Sequence, residues 1–468
     1  LTTTSTAGSG RAAPPAAEPG PRGAAERRFA PTLLAVAVVA LGVRLAFLAF
    51  GAPPVPRLGD ARAYHLLANN LADGRGYIRP FDLLVVGRVH ATAEYPPLFP
   101  GLLAAVSFLG GRSLDVQRVA MCFVGTGTVA LIGLLGRRVA GAVVGLVAAA
   151  LAAFYPMLVQ PDAALMTETL FAFLVVAMLL LTYGVLDRPS MGRFAALGLV
   201  VGLATLTRPE GGLLGIALLV PAAVRCRGGG DARRRALLGV AGVGLAVVTV
   251  LPWTLRNYAR FHTFVPVSNN SFVLEGANCD LTYHGPQIGL WRSTFTLGSR
   301  PSADPQCFPG FEIDVDDFNE AHVAAEHRGR GLDYAREHLR RLPVVMGVRW
   351  LRTWGLFRPH QQVQVASLEG RSQAWETAGT WMYWVMLPLA AMGFVVGRRR
   401  RHRLWPLLVP LATVSLNTML TYGNQRFRIA AEPTILILTA LALAAVVDPR
   451  RHRSPAVAAP GAADGAHP

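Results

Sequence analysis

The run PTLLAVAVVALGVRLAFLAFG (residues 31–51) decides the fold. Arg44 is its only charge, and its length matches the roughly 20 apolar residues that a helix needs to cross about 30 Å of hydrocarbon. It is longer than the apolar core of a signal peptide and leads into further apolar runs, so it reads as an uncleaved anchor. Comparable runs follow at 117–136, 139–160, 167–187, 193–207, 210–224, 235–253, 376–396, 404–422 and 432–447. The two that flank Arg208 are short. The whole chain is 52% hydrophobic and only 16% charged, which gives it more apolar surface than a soluble core can use. Lipid offers the backbone no hydrogen bonds, so spanning segments must be helical or form a closed barrel. The expected fold is an all-α polytopic membrane protein, a bundle of about ten transmembrane helices with two large extracytoplasmic loops.

Charge orients this bundle. Arg27 and Arg28, Arg137 and Arg138, Arg188 and Arg193, the run Arg225 to Arg235, Arg398 to Arg403, and Arg450 to Arg453 fall in the two tails and in alternate connections. The positive-inside rule makes those segments cytoplasmic, in a multi-pass protein of the cytoplasmic membrane. A net charge of +17 could also suit nucleic acid, but the arginines are dispersed among the spans and not gathered on one face, so no nucleic-acid partner is expected. Residues 1–30 and 449–468 are rich in Ala, Pro and Gly and are expected to be disordered tails. Between them lie a transmembrane module (31–253) with a first outer loop at 52–116, a loop domain at 254–375, and C-terminal spans at 376–448.

The outer loops hold the features that suggest chemistry. Cys279 and Cys307, in ANCDLTYHGP and DPQCFPG, share the second loop, where an oxidising compartment would permit a disulfide. Cys122 and Cys226 read as free thiols. Within LGDARAYHLLANNLADGRGY (58–77), Tyr64, Leu67, Ala68 and Leu71 recur at helical spacing, so Asp60 begins a short amphipathic helix lying along the membrane surface. Asp60 could simply cap that helix, or it could accept a proton from an attacking hydroxyl. Glu94 opens EYPPLFPGLL, whose prolines hold the preceding residues extended; it is either a solvated entry residue or a second acid of a site. Asp162 and Glu168, in QPDAALMTETLF, stand at another outer connection, where the helix dipole also favours an acid.

Such carboxylates would repel one another without cations. Arg208 in TLTRPEGG and Arg426 and Arg428 in GNQRFRIAAEP occupy outer turns, where guanidinium groups suit bidentate contact with phosphate or with lipid head groups. Arg44, inside the first span, must snorkel or face the interior. The stretch VVMGVRWLRTWGLFRP (344–359) reads as an interfacial helix, with a true span as the alternative.

Together these motifs carry a resemblance. A first span, an outer GD with an amphipathic helix, E-x-P-P-L, L-x-T-E at the fourth span, a T-R segment and a late R-F-R-x-x-x-E-P resemble the polyprenyl-phosphate-sugar-dependent glycosyltransferases of the GT-C fold. The protein mannosyltransferase and aminoarabinose transferase relatives, glycosyltransferase families 39 and 83, are the most similar group. The resemblance implies an inverting hexosyl- or pentosyltransferase working outside the membrane on a sugar linked to polyprenyl phosphate, with a glycan, lipid or protein as acceptor. Asp60, Glu94 and Glu168 would be the catalytic acids, with Asp60 as the base. Arg208, Arg426 and Arg428 would bind the donor phosphate, and Tyr64 and Tyr95 the substrate. Tyr95 stands where the aminoarabinose transferases carry Lys, and Glu168 where relatives usually carry Asp. No cofactor is required by this chemistry. A divalent metal could be held by Asp60 and Glu94 with nearby His residues, although no compact ligand spacing argues for one. The rival class is a transporter or lipid-linked sugar flippase, which would need a site near the bilayer midplane.

Overall fold

The computed structural model describes residues 21–85, 87–226, 230–268, 272–292, 307–308 and 319–447. Among them there is no strand, only one isolated antiparallel bridge between Ile78 and Ala91. The chain opens with α1 (Pro21–Phe50), so residues 21–30, expected in the tail, extend the first span as helix. The first outer loop contains α2 (Asp60–Ala72), α3 (Pro80–Val85) and α4 (Leu98–Phe108). Then come α5 (Leu114–Ala140), α6 (Ala142–Phe154), α7 (Pro156–Ala163), α8 (Glu168–Asp187), α9 (Met191–Thr205), α10 (Glu210–Arg225) and α11 (Ala232–Phe261). The second outer region supplies α12 (Val273–Ala277), α13 (Asp280–Tyr283), α14 (Glu320–Glu337), α15 (Leu342–Thr353) and α16 (Pro359–Leu368). The chain closes with α17 (Gln373–Arg399), α18 (Trp405–Leu420) and α19 (Glu432–Val447).

Each of the ten apolar runs is helical, but they are not ten equal spans. Five helices, α1, α5, α8, α11 and α17, are long and apolar enough to cross a bilayer, and a sixth span arises if α6 and α7 are taken as one helix bent by 51°. The bend has a local cause. Tyr155 is extended because it precedes Pro156, and Pro156 then opens the next helix without needing an N–H partner. The remaining apolar helices α9, α10, α18 and α19 have 15 or 16 residues, so they reach only about 24 Å. The stretch 344–359 falls largely in α15, which has 12 residues and a length of about 18 Å.

Both ends of the bundle are marked by charge. At one end Arg137 pairs with Glu26, while Arg138 and Arg403 share the carboxylate of Asp187. Arg225 lies over Trp405 at the same end. The arginine-bearing connections are thus gathered on one side, as alternating helices require. The opposite end carries the second outer region, tied to the first loop by Glu320 of α14, which accepts from Thr92 Oγ1 at 2.6 Å and from the Ala93 N–H at 2.8 Å. Cys279 and Cys307 are joined by a disulfide and pack with Phe308. The expected tails 1–20 and 448–468 and most of the acidic patch 311–320 lie outside the described residues.

Candidate active site

Helix starts and turns converge at the loop end of the bundle. Gly59 supplies the N-cap of α2 in a left-handed backbone (φ 113°) and makes no side-chain cap bond. Asp60 is therefore the first residue inside α2, and its side chain is free to do something other than capping. Its Oδ1 accepts from the Tyr95 hydroxyl at 3.4 Å, and its Oδ2 lies 3.3 Å from Arg426 Nη2. Arg426 stands in the 3-10 turn Gln425–Ala430 and also donates to Glu168 Oε1 at 2.6 Å and to Glu369 Oε1 at 3.0 Å. Glu168, the first residue of α8, is fully buried and is also 3.2 Å from Arg208 Nη1. Arg208, in the turn between α9 and α10, donates through Nε to Glu210 at 2.6 Å and through Nη1 to Thr167. Its guanidinium lies over Phe171 and Phe427.

Asp60, Glu168, Arg208 and Arg426 are thereby brought to one cluster. Tyr64 and Tyr95 join it as an edge-on aromatic pair with centroids 5.0 Å apart. Burial holds both phenols well above their ordinary range, reinforced by Asp60 at Tyr64 and by Glu94 and Asp60 at Tyr95, so both stay neutral. Glu94 borders the cluster. It is half-buried, has no ion-pair partner among the described residues, and is pushed up to about 7 by burial against the opposing pull of Arg79.

Arg428 is not brought there. It turns away into an ion pair with Glu432 at 2.5 Å and stacks 3.6 Å from the Tyr383 ring centroid. Its neighbour but one in sequence, Arg426, faces the opposite way because the 3-10 turn directs alternate side chains apart. Asp162 lies beside Glu168, lining the same small cavity, but faces other partners. It pairs with Arg44 at 2.8 Å inside the bundle and accepts from Thr169 at 2.7 Å, which explains how the first span tolerates an arginine.

Two members of the cluster were not anticipated in the sequence. Glu369 and Arg371 lie in the turn between α16 and α17, where Gly370 adopts φ 81° against Pro56. Glu369 is shifted upward by burial, partly offset by Arg426 and Arg371, and its Oε2 has no protein hydrogen-bond partner. Arg371 is buried. Its Nη2 is 3.7 Å from Glu168 and its Nη1 3.8 Å from Glu376, both beyond hydrogen-bond reach, and its Nε and Nη2 have no protein partner. Glu376 itself accepts from Gln160 at 2.8 Å. The motif LEGRSQAWE was the available signal, a charged pair placed at the entrance of an apolar run.

Among the described residues no group of three His, Cys, Asp or Glu side chains is close enough to hold a metal ion. Asp60, Glu168 and Glu369 each face the guanidinium of Arg426.

Residues 94–253, about a third of the chain, match the family model described as dolichyl-phosphate-mannose-protein mannosyltransferase. The oligosaccharyltransferase of Archaeoglobus fulgidus in its apo form superposes with a TM-score of 0.52 at 15% identity, covering 90% of this chain and 51% of that one. The same enzyme crystallised with Zn and sulfate gives 0.50 at 15% identity, with 90% and 49% covered. ArnT of Cupriavidus metallidurans, in the apo state, aligns at 18% identity over 90% of this chain and 77% of its own, with a TM-score of 0.39. The chain carries the GT-C fold. It spans about half the length of the oligosaccharyltransferase structures it matches. No curated protein sequence matches it. Within this GT-C bundle, the family match begins at Glu94 and includes Glu168 and Arg208, while Asp60, Glu369, Arg371 and Arg426 lie outside it.

Proposed function

We propose that the protein is an inverting glycosyltransferase that moves a sugar, hexose or pentose, from polyprenyl monophosphate to an acceptor hydroxyl outside the cytoplasmic membrane. The observation that carries this reading is the convergence of Asp60, Glu168, Arg208, Arg371 and Arg426, drawn from five separate connections, at the loop end of a GT-C bundle. The positive-inside rule assigns that end to the extracytoplasmic side.

In this mechanism the donor phosphate meets the guanidinium cluster, where the partnerless donors of Arg371 await an anion. The lipid tail lies among the apolar helices. Asp60 is the most exposed carboxylate of the cluster, with a side chain 38% accessible against 22% for Glu369 and 0% for Glu168. It takes the proton of the acceptor hydroxyl as that oxygen attacks the anomeric carbon. A new C–O bond forms, the bond to the phosphate oxygen breaks, and polyprenyl phosphate leaves with the electron pair. Glu168, enclosed by arginines, positions those arginines and does not move a proton. Arg426 holds Asp60 only loosely, so a phosphate that engages Arg426 also frees the base. The acceptor, whether glycan, lipid or protein, would approach from the second outer region.

The test uses purified protein and a panel of polyprenyl-phosphate sugars. Asp60→Asn keeps the α2 backbone, because Gly59 and not Asp60 is the N-cap. General-base catalysis contributes on the order of 100- to 10,000-fold, so transfer should fall by that scale while donor binding persists. Transfer by the Asn variant at the wild-type rate removes Asp60 as the base. A transporter would need its polar site at mid-membrane, whereas the buried pair Arg44 with Asp162 lies beside the start of α8, where Asp162 also accepts from Thr169.

A further inference from the structure

The end of the bundle opposite the charge cluster holds a second basic site. A cavity of about 430 Å³ is lined by Arg138, Gly184, Asp187, Arg188 and Arg193. These residues come from the C-terminus of α5, the C-terminus of α8, and the start of α9. Helix α8 joins the two sites: it begins at Glu168 in the candidate active site and ends at Asp187 in this cavity, 20 residues later. At 1.5 Å per residue that is about 30 Å, one hydrocarbon thickness. The cavity therefore lies at the other membrane boundary and cannot be part of the donor site.

Its charge is unbalanced. Asp187 is shared by Arg138 and Arg403, so one carboxylate serves two guanidinium groups. Arg193 reaches only the backbone carbonyl of Arg188, and the Arg188 guanidinium has no ion pair or hydrogen bond among the described residues. Next to this basic rim the bundle exposes apolar side chains, Leu134 one turn before Arg138 on α5 and Met191 at the start of α9. A phosphate at the arginines and an acyl chain beside those residues would satisfy both features, and basic pockets between helices at this depth suit lipid head groups.

We propose that this cavity binds the phosphate head group of an acidic membrane phospholipid, with Arg188 and Arg193 as its principal contacts. The inference rests on the helical bundle and is independent of the transferase reading. The experiment takes full-length protein, stripped of lipid in detergent and returned to nanodiscs of phosphatidylcholine with or without phosphatidylglycerol, and reads retained lipid by native mass spectrometry. Wild type should retain phosphatidylglycerol in preference to phosphatidylcholine. Arg188→Gln, which removes no protein contact, should lower that retention at least tenfold, and Arg188→Lys should restore much of it. Inorganic phosphate at millimolar concentration should not displace the lipid. Equal retention by wild type and Arg188→Gln, or displacement by inorganic phosphate alone, would overturn the proposal, the second result in favour of a soluble anion. Sugar transfer by the Arg188→Gln variant can be assayed in parallel, so failure of the lipid site and failure of the transferase reading are separable.

Discussion

Glu94 offers a prediction whose sign and size can be worked out. Its carboxyl is raised from 4.5 to about 7 because burial penalises the charged form more than Arg79 favours it. In the folded protein the group therefore keeps a proton that the unfolded chain has already lost. Between pH 4.5 and 7 the native state binds more protons than the unfolded state, so stability falls as pH rises through this window. The difference corresponds to about 3 kcal/mol in full, and solvent screening of a half-buried group reduces it to about 1–2 kcal/mol. Glu94→Gln mimics the protonated acid and removes this slope. Wild type and variant should have equal stability near pH 4.5, and the variant should be more stable above pH 7. A domain of 150–250 residues moves by about 2–4 °C per kcal/mol, and this longer chain by less, so the expected gap in melting temperature is about 1–4 °C. Thermal unfolding in detergent at pH 5, 6, 7 and 8 measures it. Parallel pH profiles for the two proteins would refute the buried-acid argument. Glu369 titrates in the same direction, but it is present in both proteins and cancels.

Three further outcomes are expected. Arg371→Gln should weaken apparent donor affinity on the order of 10- to 100-fold, since a charge-assisted hydrogen bond contributes about 1.5–3 kcal/mol, and should also lower the melting temperature, because it takes a buried charge away from Glu168 and Glu376; an unaltered donor titration in the folded variant would exclude Arg371 from the site. Arg428→Leu should cost about 3–5 kcal/mol by stranding Glu432, with yield recovered by adding Glu432→Gln and donor affinity intact in the double variant; donor loss in that well-folded protein would return Arg428 to the phosphate site. Cys279→Ser should destabilise the outer region by about 3–4 kcal/mol, given the 28-residue separation it closes, and reductant should lower the wild-type unfolding midpoint similarly. A wild-type midpoint indifferent to reductant would show that the bridge does not restrain the folded region.

The physics of the bilayer explains what could be read beforehand. Apolar length is a one-dimensional property, so the segments were legible as runs and each became a helix. The number of spans was less legible. Whether a 16-residue helix such as α10 or α19 crosses the membrane depends on tilt and on what flanks it, and neither is written in a hydropathy run. Helix α1 began ten residues before the expected boundary, because Arg27 and Arg28 read as tail charge although arginine is a good helix former.

Side-chain direction was the other limit. Arg426 and Arg428 are indistinguishable in the sequence RFR, and only the 3-10 turn sends one to Glu168 and the other to Glu432. Asp60 was legible as an acid at a helix start, but its release from capping depended on the left-handed backbone of Gly59. Glu369 and Arg371 were announced only by a charged pair before an apolar run, and their place in the site follows from how α16 meets α17 some 300 residues after Asp60. These late arrivals have a physical reason. Glu168 is buried away from solvent, so the fold must surround its charge with guanidinium groups wherever along the chain they occur. Arg371 makes no hydrogen bond within that shell, so it adds charge while leaving its own donors free. An arginine that is needed electrostatically but not held by the protein is the group an incoming phosphate can take without breaking a native hydrogen bond.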